Sequence, residues 1–158
     1  LKVEYINPFI ESLCNTMSEM LNCSVARSDP QVKNSEFSLG DISGIIGFAD
    51  RELSGAISLC FPRNTAFFVY EKMTGEKVDQ IEANVRDAVG ELANIVAGGA
   101  KTILSKYGIS YHISIPTIVV GKNHSLAHKF NTPIVAIPFQ VEGKPFTMEV
   151  VMKVAKKS

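Results

Sequence analysis

The sequence predicts an α+β fold in which long helices pack on an antiparallel β-sheet. Apolar spacings of three and four recur near the N-terminus and again over residues 80–107, the mark of helices with one buried face. Apolar and small residues alternate on either side of the polar turn "ADREL", and the chain closes on strand-like runs separated by turn residues. The 158 residues match one ordinary domain, and no linker, repeat or low-complexity stretch divides them, so residues 1–158 are expected to form a single domain.

In "EYINPFIESLCNTMSEML", Ile6, Phe9, Ile10, Leu13, Met17, Met20 and Leu21 line one face of a first helix. Pro8 suits an opening turn, where its missing N–H costs little, so this helix is expected to start at Asn7 or bend there. "SDPQVKNSEF" reads as a polar loop. Ile42–Phe48 and Leu53–Phe61 then form a hairpin, and Gly44, Gly47 and Gly55 within it imply that backbone or helix comes close on one face. A short second helix enters at Pro62 and Asn64, buries Ala66, Phe67, Val69, Tyr70 and Met73, and stops at Gly75. The long third helix runs from about Gln80 to Tyr107 and ends at Gly108. The remainder reads as three strands with a hairpin turn at "VEGKP"; Pro116, Pro133 and Pro138 cannot donate to a ladder and place their strands at edges or bulges.

Sixteen Lys+Arg balance sixteen Asp+Glu, which leaves no bulk positive field and argues against nucleic acid as a partner. The C-terminal Lys153, Lys156 and Lys157 read as a solvated end. No run approaches the roughly 18–20 apolar residues of a membrane span, and the start "LKVEYINPFIESLC" lacks the basic leader of a signal peptide. A cytoplasmic location with no membrane partner is therefore expected. Cys14, Cys23 and Cys60 are scattered and without a CxxC pair, as reduced core thiols are. His124-x3-His128 has ligand-like spacing but falls in the loop "GKNHSLAHKF" without a third donor, so exposed loop histidines and no metal are expected; His112 reads as an ordinary strand imidazole. Met17, Met20 and Phe9 read as core and not as a groove.

On the long helix, at about 100° per residue, Val85, Val89, Leu92, Val96 and Ile103 gather on the core side. Asp87, Glu91, Asn94, Gly98 and Lys101 gather roughly opposite. An exposed helix face is usually polar, but two details stand out. Asn is a poor mid-helix residue, and Gly98 and Gly99 each cost about 1 kcal/mol relative to Ala, a choice that leaves room for another backbone. No Ser or Cys pairs with a His in a hydrolase pattern, and no Gly-rich phosphate loop follows a strand. A carboxylate can still anchor a lysine, and a carboxamide can hold a water, as glutamine does in GTP hydrolysis. Such a pair would complete an active site carried mostly by another protein.

Asp87-x3-Glu91-x2-Asn94, with Pro116 about twenty residues beyond, resembles the signature of the CheC, CheX and FliY chemotaxis phosphatases, and its single copy resembles the CheX branch. The likeness also covers "INPFIES", "GAISLCFP" and "TPIVAIPFQVEG", and so spans nearly the whole chain. The resemblance implies a CheC/CheX-like fold and hydrolysis of the aspartyl phosphate of a CheY-type response regulator. It implies that Glu91 pairs with the regulator's active-site lysine and that Asn94 orients the attacking water, with Asp87 a docking or helix-orienting residue. Asp87, Gly98 and Lys101 are the candidate partner-binding residues. The phosphoaspartate and Mg²⁺ would belong to the phosphorylated regulator, with no cofactor in this chain, and a homodimer through a strand of the C-terminal half is implied. The rival expectation is a non-catalytic regulator-binding or flagellar-switch module of the FliM kind. Glu19-x2-Asn22 repeats the core of the motif, but Asn15 and Gly44 depart from the pattern and the match reads as incidental.

Overall fold

Period-two alternation sets the register of the sheet, and the register decides what each face buries. In the computed structural model of the chain, residues 3–33, 40–127 and 132–154 are described. In chain order they form α1 (Val3–Leu21), β1 (Val25–Arg27), β2 (Gln31–Val32), β3 (Gly40–Ala49), β4 (Leu53–Phe61), α2 (Arg63–Thr74), α3 (Ala83–Ser105), β5 (His112–Ile113), β6 (Thr117–His124), β7 (Val135–Val141) and β8 (Lys144–Val154). The strands make one eight-stranded antiparallel sheet in the order β1-β7-β8-β4-β3-β5, with β2 also on β7 and β6 also on β3.

The β3–β4 turn forms as its chemistry requires, with Asp50 Oδ1 accepting the N–H of Glu52 at 2.6 Å and of Leu53 at 2.9 Å. The pairing sets Ile42, Gly44, Ile46 and Phe48 opposite Phe61, Leu59, Ile57 and Gly55, and β8 and β7 extend that face with Met148, Val150, Ile137 and Phe139. The three helices cover it. Phe9, Leu13 and Met17 of α1, Ala66, Val69 and Tyr70 of α2, and Val85, Leu92, Val96 and Ala100 of α3 close the core against it.

The opposite face of the sheet is buried too. Ser43, Ser58 and Glu149 are fully enclosed there, and residues just past β6 reach this face. Lys33 Nζ donates to the Leu126 carbonyl at 2.7 Å and to the Glu149 carboxylate at 2.9 and 3.1 Å, which ties the end of β6 to β8. Asp41, on the same face of β3, accepts the N–H of Arg63 at 2.7 Å and of Asn123 at 3.1 Å, fastening the start of α2 and the end of β6 to one carboxylate.

Several expectations are corrected. α1 starts at Val3, four residues before Asn7, so Pro8 lies inside the helix. Met20 is 38% exposed and Ile103 only half-buried, so neither belongs to the core. The "SDPQVKNSEF" segment contains β2, which with β1 adds to β7, and residues 34–37 of it lie outside the described residues. The first of the three closing strands is two, β5 and β6, separated at Pro116. Pro138 obeys the expected rule in a particular way: its carbonyl accepts Ser28 N–H at 2.9 Å, so its nitrogen, which has no proton, faces the same side. There the outer strand breaks in two, β1 ending opposite Phe139 and β2 beginning opposite Ala136. Gly44 and Gly55 are tight as expected, but a Cβ on Gly47 would meet nothing nearer than 3.6 Å. No described helix is long and apolar enough to cross a membrane.

Two stability predictions follow from the burial pattern. Lys33→Met leaves the fully buried Glu149 without this cation and is expected to lower the unfolding free energy by about 3 kcal/mol in urea titrations; a loss under about 1 kcal/mol would show that the pair contributes no more than a surface one. Tyr111 is 1% exposed, packs its ring at a tilt against Phe48 and has no hydrogen-bond partner for its hydroxyl among the described residues. Burial pushes this phenol well above its ordinary value. A folded-state pKa above the unfolded one means a contribution fully present below the unfolded pKa of about 10 and lost as pH rises beyond it. Tyr111→Phe is therefore expected to be neutral or stabilising by about 1 kcal/mol at neutral pH and to flatten the fall of melting temperature above that pH.

Candidate functional site

The candidate site is a helix face, and its position is fixed by three places where a side chain is missing. A Cβ on Gly44 would lie 3.2 Å from the Val89 carbonyl oxygen and 3.2 Å from Ala93 Cβ, so α3 rests on the backbone of β3. A Cβ on Gly90 would lie 3.4 Å from Pro116 Cβ and 3.3 Å from Ile118 Cδ1, so the segment entering β6 presses on one flank of α3. On the other flank, Gly99 admits the Ser12 side chain of α1, whose hydroxyl donates to the Val96 carbonyl at 2.7 Å in a buried contact. Held by the sheet below and by a neighbour on each side, α3 has one face left.

That face carries the expected stripe. Asp87 and Glu91 are exposed, and Asn94, Gly98 and Lys101 are half-buried on the same side. None of the Asp87, Glu91, Asn94 and Lys101 side chains has a hydrogen-bond or ion-pair partner among the described residues. Glu91 and Asn94 stand one turn apart on a helix with three braces, so two unengaged polar groups project together with little freedom in their backbone. The space beyond Gly98 is open, with nothing within 4 Å of where a Cβ would stand, whereas the room at Gly99 is taken by α1. The two adjacent glycines thus serve different contacts.

The remaining candidates fall elsewhere. Asn22 lies past the end of α1 with φ 52°, so it does not share a helix face with Glu19 and that pair is not presented as Glu91 and Asn94 are. His128, Lys156 and Lys157 are outside the described residues. His124 is not the exposed loop residue expected: it ends β6 half-buried, with Nδ1 2.7 Å from the Gly121 carbonyl and Nε2 2.7 Å from Ser43 Oγ. Since a carbonyl only accepts, Nδ1 carries the proton, and in the neutral ring Nε2 accepts from the Ser43 hydroxyl. His112 is exposed in β5. Cys14, Cys23 and Cys60 are free thiols, and burial pushes Cys14 and Cys60 above their ordinary values. Among the described residues no group of three or more His, Cys, Asp or Glu could hold a metal ion.

A cavity of about 390 Å³ lies at the far end of α3, where Ile103 and Tyr107 face Tyr5, Pro8 and Glu11 of α1. It does not include the stripe. Sequence reasoning singled out neither Ser12 nor Gly90, the residues that brace the flanks of α3; the one available signal was their small size within helical patterns.

The Chemotaxis phosphatase CheX family model matches residues 42–140. Among solved structures, a CheC-like superfamily protein from Shewanella sp. PV-4 is 35% identical with a TM-score of 0.92, over 97% of this chain and 99% of that one. The chemotaxis protein CheX from Vibrio vulnificus is 32% identical with a TM-score of 0.90, over 96% and 100%. CheX in the CheX–CheY–BeF3–Mg²⁺ complex from Borrelia burgdorferi is 25% identical with a TM-score of 0.79, over 96% and 99%. A comparison with curated proteins gives no match. A family match over most of the chain, on the fold and around the helix described here, means that the chain belongs to the CheX family of chemotaxis phosphatases.

Proposed function

We propose that this chain hydrolyses the aspartyl phosphate of a CheY-type response regulator by supplying two side chains to an active site that the regulator otherwise carries. The observation that supports it is the pair Glu91 and Asn94, one turn apart, directed to solvent and without partners among the described residues. The Borrelia burgdorferi relative in complex with CheY points to the same class of partner.

An acyl phosphate is a mixed anhydride, so the chemical demand is modest: a water has to stand in line with the P–O bond and the charge on the phosphoryl oxygens has to stay neutralised. The carboxamide of Asn94 can accept one water proton at Oδ1 and donate from Nδ2, which turns the water's lone pair toward phosphorus. Glu91 would pair with the regulator's lysine and lock the docked geometry. The regulator would supply the Mg²⁺ and the phosphoaspartate, and the products would be its free aspartate and inorganic phosphate. Catalysis of this kind is positioning, and its value depends on the rigidity of the positioned group. Asp87, Gly98 and Lys101 would meet the regulator's surface around that centre. The chain would act where such regulators act, in the cytoplasm. Two copies would pair into a homodimer through β6, the long strand at the outer edge of β3.

The test is the decay of an acetyl-phosphate-charged CheY-type regulator with Mg²⁺ present. Wild-type protein is expected to accelerate it. Asn94→Ala is expected to lose on the order of a hundredfold in kcat while binding the phosphorylated regulator nearly as tightly; equal losses of binding and turnover would contradict a water-orienting role. Glu91→Ala is expected to raise KM about tenfold and lower turnover as well, because it removes a charge pair, and unchanged kinetics would remove Glu91 from the site. Binding without any acceleration by the wild type would leave a non-catalytic regulator-binding module.

A further inference from the structure

We infer that Ile115 is a specificity-determining contact for the phosphorylated receiver domain, an apolar anchor held beside the polar stripe; this rests on the function proposed above. Ile115 is 85% exposed, more than any other large apolar side chain among the described residues. An isolated exposed isoleucine needs no special cause, but this one is denied the freedom to fold inward. Ser114, before it, exchanges two hydrogen bonds with Gly47: its N–H donates to the Gly47 carbonyl at 2.8 Å and its Oγ accepts the Gly47 N–H at 2.9 Å. The same Oγ donates to the Ile115 carbonyl at 3.0 Å. Pro116, after it, restricts Ile115 to extended backbone and packs against Gly90. The isoleucine is thus presented to solvent by a segment fixed at both ends.

Its place matters as much as its exposure. Gly90 precedes Glu91 and lies about 40° round the helix from Asn94, so the segment that carries Ile115 borders the stripe on the Asn94 side. The same border continues along β6, where Ile118 packs on Gly90 and Val120, two residues on and on the same face, is 46% exposed. The opposite border is α1, whose exposed residues Glu11 and Asn15 are polar. A partner seated on Glu91 and Asn94 would reach Ile115 across Gly90 and Pro116, which is why the receiver domain is the occupant of this corner, whereas a second copy would pair along the backbone edge of β6. Burial of Ile115 against a receiver would strengthen docking without touching the reacting atoms, and so would act on KM.

The experiment compares wild type, Asn94→Ala, Ile115→Ala, Ile115→Asp and, as a control, Tyr107→Ala, an equally apolar surface change (75% exposed) at the other end of the helix pair. Turnover of the acetyl-phosphate-charged regulator, thermal melting and size-exclusion elution are read for each. Ile115→Ala is expected to raise KM about tenfold with kcat within about twofold, Ile115→Asp to raise it further, and Tyr107→Ala to match wild type, all with unchanged elution and melting. An unchanged KM for both Ile115 variants, alongside an active wild type and an inactive Asn94→Ala, would overturn the anchor and leave the phosphatase standing. A shift in elution with Ile115→Asp would overturn it in favour of an interface between copies. No acceleration by the wild type would remove the function itself and the anchor with it.

Discussion

The rigidity of the candidate site depends on how closely the backbone of α3 approaches the backbone of β3. At Gly44 no side chain separates the sheet from the Val89 carbonyl, and at Gly90 and Gly99 the flanks of the helix are met just as directly. A glycine within an element costs stability relative to alanine, and the cost is offset here by contact on three sides. Interiors at such spacing transmit force without slack. A helix held this way presents Glu91 and Asn94 as if they were mounted on the sheet itself.

The sheet in turn is braced from behind. Its outer face is no solvent face, since Ser43, Ser58 and Glu149 are fully enclosed there. Two carboxylates organise that layer. Burial works to raise the Asp41 carboxyl, but the N–H groups of Asn123 and Arg63 outweigh it and hold the group below its usual range. Glu149 takes the Lys33 ammonium, which also binds the Leu126 carbonyl just past β6. Hydrogen-bonded charges of this kind add little net stability over apolar packing but are strongly unfavourable when one partner is lost. They make the covering layer specific in its place, and so keep the strands beneath α3 from shifting.

The parts of the fold with a strong period were legible in the sequence: the three helices, the hairpin at Asp50 and the turn at Gly143 were each marked by spacing or turn residues. β1 and β2 were not, because three and two residues cannot display a period and their pairing depends on β7, more than a hundred residues away. Pro8 was read by local rule as a helix start, whereas the apolar face of α1 packs on the core on both sides of it and carries the helix through. At the site, the stripe of Asp87, Glu91, Asn94, Gly98 and Lys101 was legible as helical geometry. What holds it was hidden, since the contacts of Gly90 with Pro116 and Gly99 with Ser12 are tertiary and leave only small residues as a trace. Ile115 was hidden because exposure of a single apolar residue in a strand-like run leaves no mark in the sequence; it lies in the break between β5 and β6, 85% exposed.

The split outer strand at Pro138 bears on how the sheet can be extended. On that side the sheet ends in two fragments of three and two residues, interrupted where β7 has no proton to give. A foreign strand would find there no continuous run of backbone donors and acceptors to copy. Among the described residues the long free margin is that of β6. A fold with one long margin and one broken margin could join a like molecule across a two-fold axis but would offer no second margin for a filament.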